Sequence, residues 1–292
     1  MQSFKNSNQM KAFMKKEAKR LNINIHNAYS TFIARSFLER VSKYNDNSIL
    51  IKGSSAELSY LGSLVRCVTD VDLASLKDLN INRDLISQII SDGQVDSLKF
   101  SLVKDPRRTK TGIYKFSLQA NFDGINQYLG VDLQDNYTRL IAPEKRIMPP
   151  IFEGDEPFDI LVPSFEEYLA EKLCIIIESN KANVLNTRVK DFYDIYELHG
   201  GKYDSEKLTE YFGKMLQLRG KIDLDGAQTM YLNKRFIDSH AGIWDSTKEK
   251  YDFLDKEIDL QGAVYYTRAV IREQLQKNGN VMSDSISRQY RK

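Results

Sequence analysis

Residues 51–74 read IKGSSAELSYLGSLVRCVTDVDLA. The last eight of them, from Cys67, set two aspartates, Asp70 and Asp72, inside a run that otherwise reads as a buried strand. Side chains at i and i+2 of a strand point the same way, so the two carboxylates share a face and Val71 and Leu73 pack on the other. Two like charges at that separation repel. A divalent cation such as Mg²⁺, which prefers carboxylate and phosphate oxygens, removes the conflict. A DxD pair alone is a weak signal, because such pairs arise often by chance.

What lies upstream makes it specific. SILIKG (48–53) is a short apolar strand that stops at glycine. SSAELSYLG (54–62) begins with two serines, good helix-capping residues, and ends in glycine. The order is strand, tight turn, short helix. Gly53 followed by Ser54 and Ser55 offers backbone N–H groups and hydroxyls to an anion. Simple capping by Ser54 or Ser55 is the other reading of the same residues. Downstream, YLGVDLQ (128–134) is a strand in which Leu129, Val131 and Leu133 point one way and Asp132 the other. If it lies beside 64–73, Asp132 completes a three-carboxylate cluster able to hold two metal ions around a triphosphate.

The chain around this stretch has 292 residues, enough for one large domain or two ordinary ones. It is 41% hydrophobic and 28% charged with only 6 Pro, a globular composition rather than a disordered one. A net charge of +2 does not announce a nucleic-acid binder. Two basic runs are exceptions. One holds Lys5, Lys11, Lys15, Lys16, Lys19 and Arg20; the other holds Lys104, Arg107, Arg108, Lys110 and Lys115. Each is either solvated surface or a place where phosphates dock. Cys67 and Cys174 form no CxxC motif, which fits a reducing cytosol. The N-terminus has no apolar core of a signal peptide, and Leu173–Ile177 is far too short to span a bilayer. The expectation is a soluble, cytoplasmic protein.

The first 45 or so residues read as helical, with Tyr29, Phe32, Ile33, Phe37, Leu38 and Val41 on one face. Strands follow at 48–53, 64–73, 98–105, 114–122 and 128–134, the middle pair joined by the basic tip PRRTKTG. A Pro-rich connection leads to about residue 163. Helices then occupy 164–179, 187–199, 205–218, about 226–239, about 247–256 and 260–276. The fold class is α+β: a mixed sheet with N-terminal helices (1–160), then a helical domain (161–292).

Within helix 164–179 the apolar stripe is Phe165, Tyr168, Leu169, Leu173, Ile176 and Ile177, and Lys172 falls inside it. A lysine there either snorkels to water or meets a negative partner. In 187–199 the packed face is Val189, Phe192, Tyr193 and Tyr196, while Asp191 and Asp194 lie near each other three residues apart. These acids are either an ordinary helix-surface salt-bridge set, or functional, with Asp194 orienting a neighbouring base such as Arg188 or Lys190. His26, His199 and His240 lack metal-ligand spacing; His199 reads as a helix C-terminal residue favourable to the dipole. Trp244 reads as core.

The blocks IKGSSAELSYLGSLVRCVTDVDLA, YLAEKLCIII and TRVKDFYDIYEL resemble those of AbiEii-type toxins. These are nucleotidyltransferases of the polymerase-β-like superfamily, from type IV abortive-infection toxin–antitoxin systems. The family's second glycine is Ser54 here, and Val68 stands where a hydroxyl residue is usual. The resemblance implies a polymerase-β-like core and transfer of a nucleotide from an NTP to an acceptor hydroxyl, with release of pyrophosphate. It implies Mg²⁺, or Mn²⁺, on Asp70, Asp72 and Asp132, with Asp132 as base. Gly53, Ser54, Ser55, Arg66, Lys172 and Asp194 would bind nucleotide, and Asp191 would be a functional acid. It further implies a growth-arresting toxin in phage defence, an antitoxin encoded alongside, and RNA as acceptor, transfer RNA 3′ ends first. Transfer to a small molecule or a protein hydroxyl, and a non-catalytic nucleotide-binding member, are the alternatives.

Overall fold

The computed structural model describes residues 3–44, 47–77, 80–91, 96–137, 140–179, 188–219 and 232–289, the last with side chains to 279. The chain divides into two compact units, Met1–Pro163 with Tyr251–Leu254, and Ser164–Lys250 with Asp255–Lys292.

In the first unit, α1 (Ser7–Leu21) starts at Asn6, whose side chain accepts from the Gln9 N–H, and stops at left-handed Asn22. Helix α2 (Ile25–Tyr44) buries the expected Tyr29, Phe32, Ile33, Phe37, Leu38 and Val41. It also buries two arginines that the apolar periodicity does not mark. Arg35 pairs with Asp155 at 2.6 Å and donates to the Pro149 and Glu156 carbonyls; Arg40 pairs with Asp96 at 2.9 Å. Buried charge of this kind persists because each guanidinium is both paired and hydrogen-bonded.

The sheet runs β1-β2-β5-β4-β3, formed by β1 (Ile49–Lys52), β2 (Asp70–Ser75), β3 (Lys99–Arg108), β4 (Ile113–Phe122) and β5 (Ile125–Gln134). Only β2 and β5 are parallel; the other pairs are antiparallel, which makes the sheet mixed. Helix α3 (Gly53–Leu61) links β1 towards β2, and α4 (Arg83–Ser91) precedes β3. One face is core: Val71, Leu73, Phe116, Leu118, Ala120, Leu129, Val131 and Leu133 are all buried.

Several boundaries differ from the sequence reading, each for a local reason. The strand expected over 64–73 begins only at Asp70. Residues before it pair elsewhere: the Cys67 N–H donates to the Tyr251 carbonyl and the Leu254 N–H to the Val65 carbonyl, both at 2.8 Å. β3 runs on through Pro106 to Arg108, because register shifts on both sides of Lys104 absorb the proline on an edge strand. β4 and β5 are joined by the two-residue turn Asp123-Gly124, both at positive φ, so β5 starts at Ile125 and not at 128. Inside the Pro-rich connection stand two further paired strands, β6 (Glu144–Met148) and β7 (Phe158–Val162).

The second unit is helical: α5 (Phe165–Ser179), α6 (Lys190–His199), α7 (Ser205–Arg219), α8 (Lys234–Tyr251) and α9 (Leu260–Gln289). The helices read as 226–239 and 247–256 are one continuous α8 over the described residues; 226–231 lie outside them. Trp244, Leu173 and Cys174 are buried in the core. Tyr196, expected in the packed face of α6, is instead 36% exposed and rests edge-on against Tyr266. No described helix is long and apolar enough to cross a membrane.

Candidate active site

The registers of four neighbouring strands set charged residues side by side. Lys52 of β1 is opposite Asp72 of β2, Asp72 is opposite Asp132 of β5, and Asp132 is opposite Lys115 of β4. Asp70 stands two residues before Asp72 and is aligned with Gly130 and Ser117. All three aspartates lie on the face opposite Val71, Leu73 and Val131 and are half-buried; further along β1 and β2 that face carries Leu50 and Ala74, buried with Tyr137 and Leu161. Asp132 is ion-paired through Oδ2 with Lys115 Nζ, and Lys52 Nζ lies 4.0 Å from the centroid of the Tyr137 ring. Thr69 Oγ1 lies 3.5 Å from Asp70 Oδ1.

The glycine turn presses directly on this row. Gly53 has φ +60°, and a Cβ placed on it would stand 2.1 Å from Asp72 Oδ2. Both the left-handed backbone and the close approach require glycine. α3 starts at Gly53, with Lys52 as N-cap and no side-chain capping bond, so simple capping does not explain the serines. Ser54 and Ser55 are buried in the first turn, and Ser55 Oγ has no hydrogen-bond partner among the described residues. A buried hydroxyl left in that state is costly to folding. Arg66 is also buried: it faces Glu57 at 3.6 Å and lies over the Tyr251 ring.

Among the described residues, no group of three or more His, Cys, Asp or Glu is gathered closely enough to hold a metal ion. The expected cluster therefore shares a face and a register without closing on one point. Its physical reason is Lys115, which holds the Asp132 carboxylate from the strand on the side of β5 away from β2. In kind, the donor set still fits a hard divalent cation, since it consists of carboxylate oxygens on adjacent strands.

The second unit contains its own charged cluster. Lys172 of α5 does not snorkel: it is 7% exposed, with Nζ 2.7 Å from Asp194 Oδ2 and 3.3 Å from Asp191 Oδ1. Arg188 Nε completes the set at 2.7 Å from Asp191 Oδ2. Both aspartates are buried, so the alternative of a helix-surface salt-bridge set is replaced by an internal network, and Asp194 engages Lys172. His199 ends α6 between the Tyr203 and Tyr266 hydroxyls, one at each ring nitrogen. It stands at the helix C-terminus as the sequence reading had it, and burial pulls its pKa down.

Lys52 and Lys115 are the residues that sequence reasoning left outside the site. Alternation in YKFSLQANF puts Lys115 on the face away from the buried Phe116, and the two-residue Asp123-Gly124 turn, which the sequence reading did not use, sets it opposite Asp132.

Residues 36–278 match the family model described as the nucleotidyl transferase AbiEii toxin of type IV toxin–antitoxin systems. No curated protein matches the sequence significantly. Among solved structures, the chain is similar to MenT4, a nucleotidyltransferase toxin of Mycobacterium tuberculosis. The two are 16% identical with a TM-score of 0.56, covering 91% of this chain and 98% of that one. It is also similar to JHP933 of Helicobacter pylori at 13% identity and a TM-score of 0.53, covering 89% and 97%. At such identities the likeness carries the fold alone.

Proposed function

The chain belongs to the AbiEii family of type IV nucleotidyltransferase toxins, and from that premise we propose that it transfers a nucleotide from an NTP to the terminal hydroxyl of an RNA, transfer RNA first. The observation that supports this most is the glycine turn packed against Asp72, with Asp70 and Asp132 on the same open face. Asp70, Asp72 and Asp132 are the residues that would hold Mg²⁺ or Mn²⁺, which when bound stabilises charge on phosphoryl oxygens. The first turn of α3 supplies backbone N–H groups and the Ser55 hydroxyl for the triphosphate. The Asp132 carboxylate takes the proton of the attacking hydroxyl once Lys115 lets it go. Gly53 and Ser54 shape that turn, and Arg66 steadies the segment that leads into β2.

For Lys172, the two buried carboxylates support an ammonium held in a fixed position, and we assign Lys172, Asp191 and Asp194 to the machinery that transfer requires. Family membership supports growth arrest in the cytoplasm, as a phage-defence response relieved by an antitoxin encoded alongside. Incubating the protein and its Asp72→Ala variant with each labelled NTP, Mg²⁺ and total cell RNA tests the reading. Label on RNA with the intact chain alone is the expected result. Label on the protein itself or on a small molecule replaces the acceptor, and the absence of transfer together with harmless expression of both chains overturns the enzyme.

A further inference from the structure

Along β5, β4 and β3 the sheet face that carries the acids is open well beyond them, and its two sides differ in charge. On β5 the open-face positions before Asp132 are Gly130 and Tyr128. A Cβ on Gly130 would meet nothing within 4 Å, so the surface beside the acids is bare. Tyr128 is 65% exposed, the most exposed of the large apolar and aromatic residues described. Gln119, opposite it on β4, donates to its hydroxyl at 3.4 Å and fixes the edge of the ring. At a rise of about 3.3 Å per residue, Tyr128 lies roughly 13 Å along the strand from Asp132. Across β4, the same face ends at edge strand β3, where Lys99 is opposite Asn121, Lys104 opposite Ser117 and Arg107 opposite Lys115. Lys99, Lys104 and Arg107 are exposed, and none has an ion-pair partner among the described residues. Acids on β2 and β5, an exposed ring on β5 and cations on β3 thus share one surface.

We propose that this face is the acceptor platform, on which the single-stranded end of an RNA lies with one base stacked on Tyr128 and its phosphates along Lys99, Lys104 and Arg107. This rests on the transferase reading and assigns residues to its acceptor side. The occupant is a nucleic acid because charge complementarity and a ring fixed at its hydroxyl edge suit phosphates and a π-face together. The roughly 13 Å separation sets the stacked base back from the terminal sugar, which leaves that sugar's hydroxyl at the acids.

The test uses the full chain, a short fluorescein-labelled single-stranded RNA with a free 3′ hydroxyl, and separate measurement of NTP affinity. Tyr128→Ala is expected to weaken RNA binding about tenfold, as expected for loss of one stacked base, and to leave NTP affinity unchanged. Tyr128→Trp is expected to restore binding. Lys104→Gln and Arg107→Gln are each expected to lower the slope of log affinity against log salt by about 0.7. RNA binding and salt slope unchanged in all of these, while the intact chain still labels RNA, overturn the platform and leave the transferase standing. An intact chain that binds no NTP, or that labels only protein, overturns both.

Discussion

Two groups of four charged side chains, each with two aspartates and two cations, occupy opposite physical regimes. Lys52, Asp72, Asp132 and Lys115 form one row across the sheet, and at its open end the Asp132 and Lys115 side chains are 36% and 58% exposed. In the other group Asp191 and Asp194 hold the buried ammonium of Lys172, with the Asp194 and Lys172 side chains 0% and 9% exposed, and Arg188 pairs with Asp191 from a half-exposed position. Exposed pairs contribute about 0.2–1 kcal/mol and exchange partners readily. Breaking a buried pair leaves an uncompensated charge and costs about 3–5 kcal/mol. The first group can therefore release a carboxylate to a ligand, whereas the second holds its lysine in one place.

The sharpest way to break this contrast is Lys172→Met. It should lower the unfolding free energy by about 3–5 kcal/mol, read from urea denaturation, because Asp191 and Asp194 are left in the interior. A loss under about 1 kcal/mol would make the network as dispensable as a surface pair. Gly53→Ala comes next, at about 1–2 kcal/mol for the left-handed backbone alone, with NTP affinity falling as Asp72 is displaced by the added methyl group. Lys115→Met should change stability by less than about 1 kcal/mol and tighten Mn²⁺ binding, followed by calorimetry, up to about fivefold. That gain should shrink in high salt, where exposed charges are screened. Unaltered Mn²⁺ affinity would mean that Lys115 does not compete for Asp132.

The smallest effect concerns pH. Burial holds the His199 imidazole below its ordinary value. Its contribution to stability is full above about 6.5, where the unfolded chain's imidazole is also neutral, and is lost as pH falls from there towards the lower folded value. Chemical denaturation between pH 7.5 and 5.5 should show stability declining with acid, and His199→Gln should flatten that slope. An equally steep decline in the variant would assign the slope to other groups.

How far the sequence could be read depended on whether a feature was local. The glycine turn, the DxD face and the stripe of α2 each depend on neighbours along the chain, and each is present in the structure. The helix-ending His199 was local too, but its protonation was not, because burial lowers its pKa, with Glu273 and Lys277 acting in opposite directions. Lys115 needed the register that the Asp123-Gly124 turn imposes on β4 and β5. The burial of Arg35 and Arg40 depends on counter-charges from Asp155 and Asp96, more than 50 positions away, and the stripe of α2 does not mark it. The Asp123-Gly124 hairpin was legible from its dipeptide and would have placed Tyr128 within a strand instead of at its start.

The four residues Tyr251–Leu254 count with the first unit, and their backbone stitches Val65 and Cys67 just ahead of Asp70. The first unit is accordingly not a cassette that could be cut out at Pro163 and transplanted whole. A ribosome finishing residue 163 has made the acids but not the splint beside them, and that splint emerges only after some ninety further residues. Truncation, fusion or recombination at the apparent border would deliver a sheet with the segment leading into β2 unlaced.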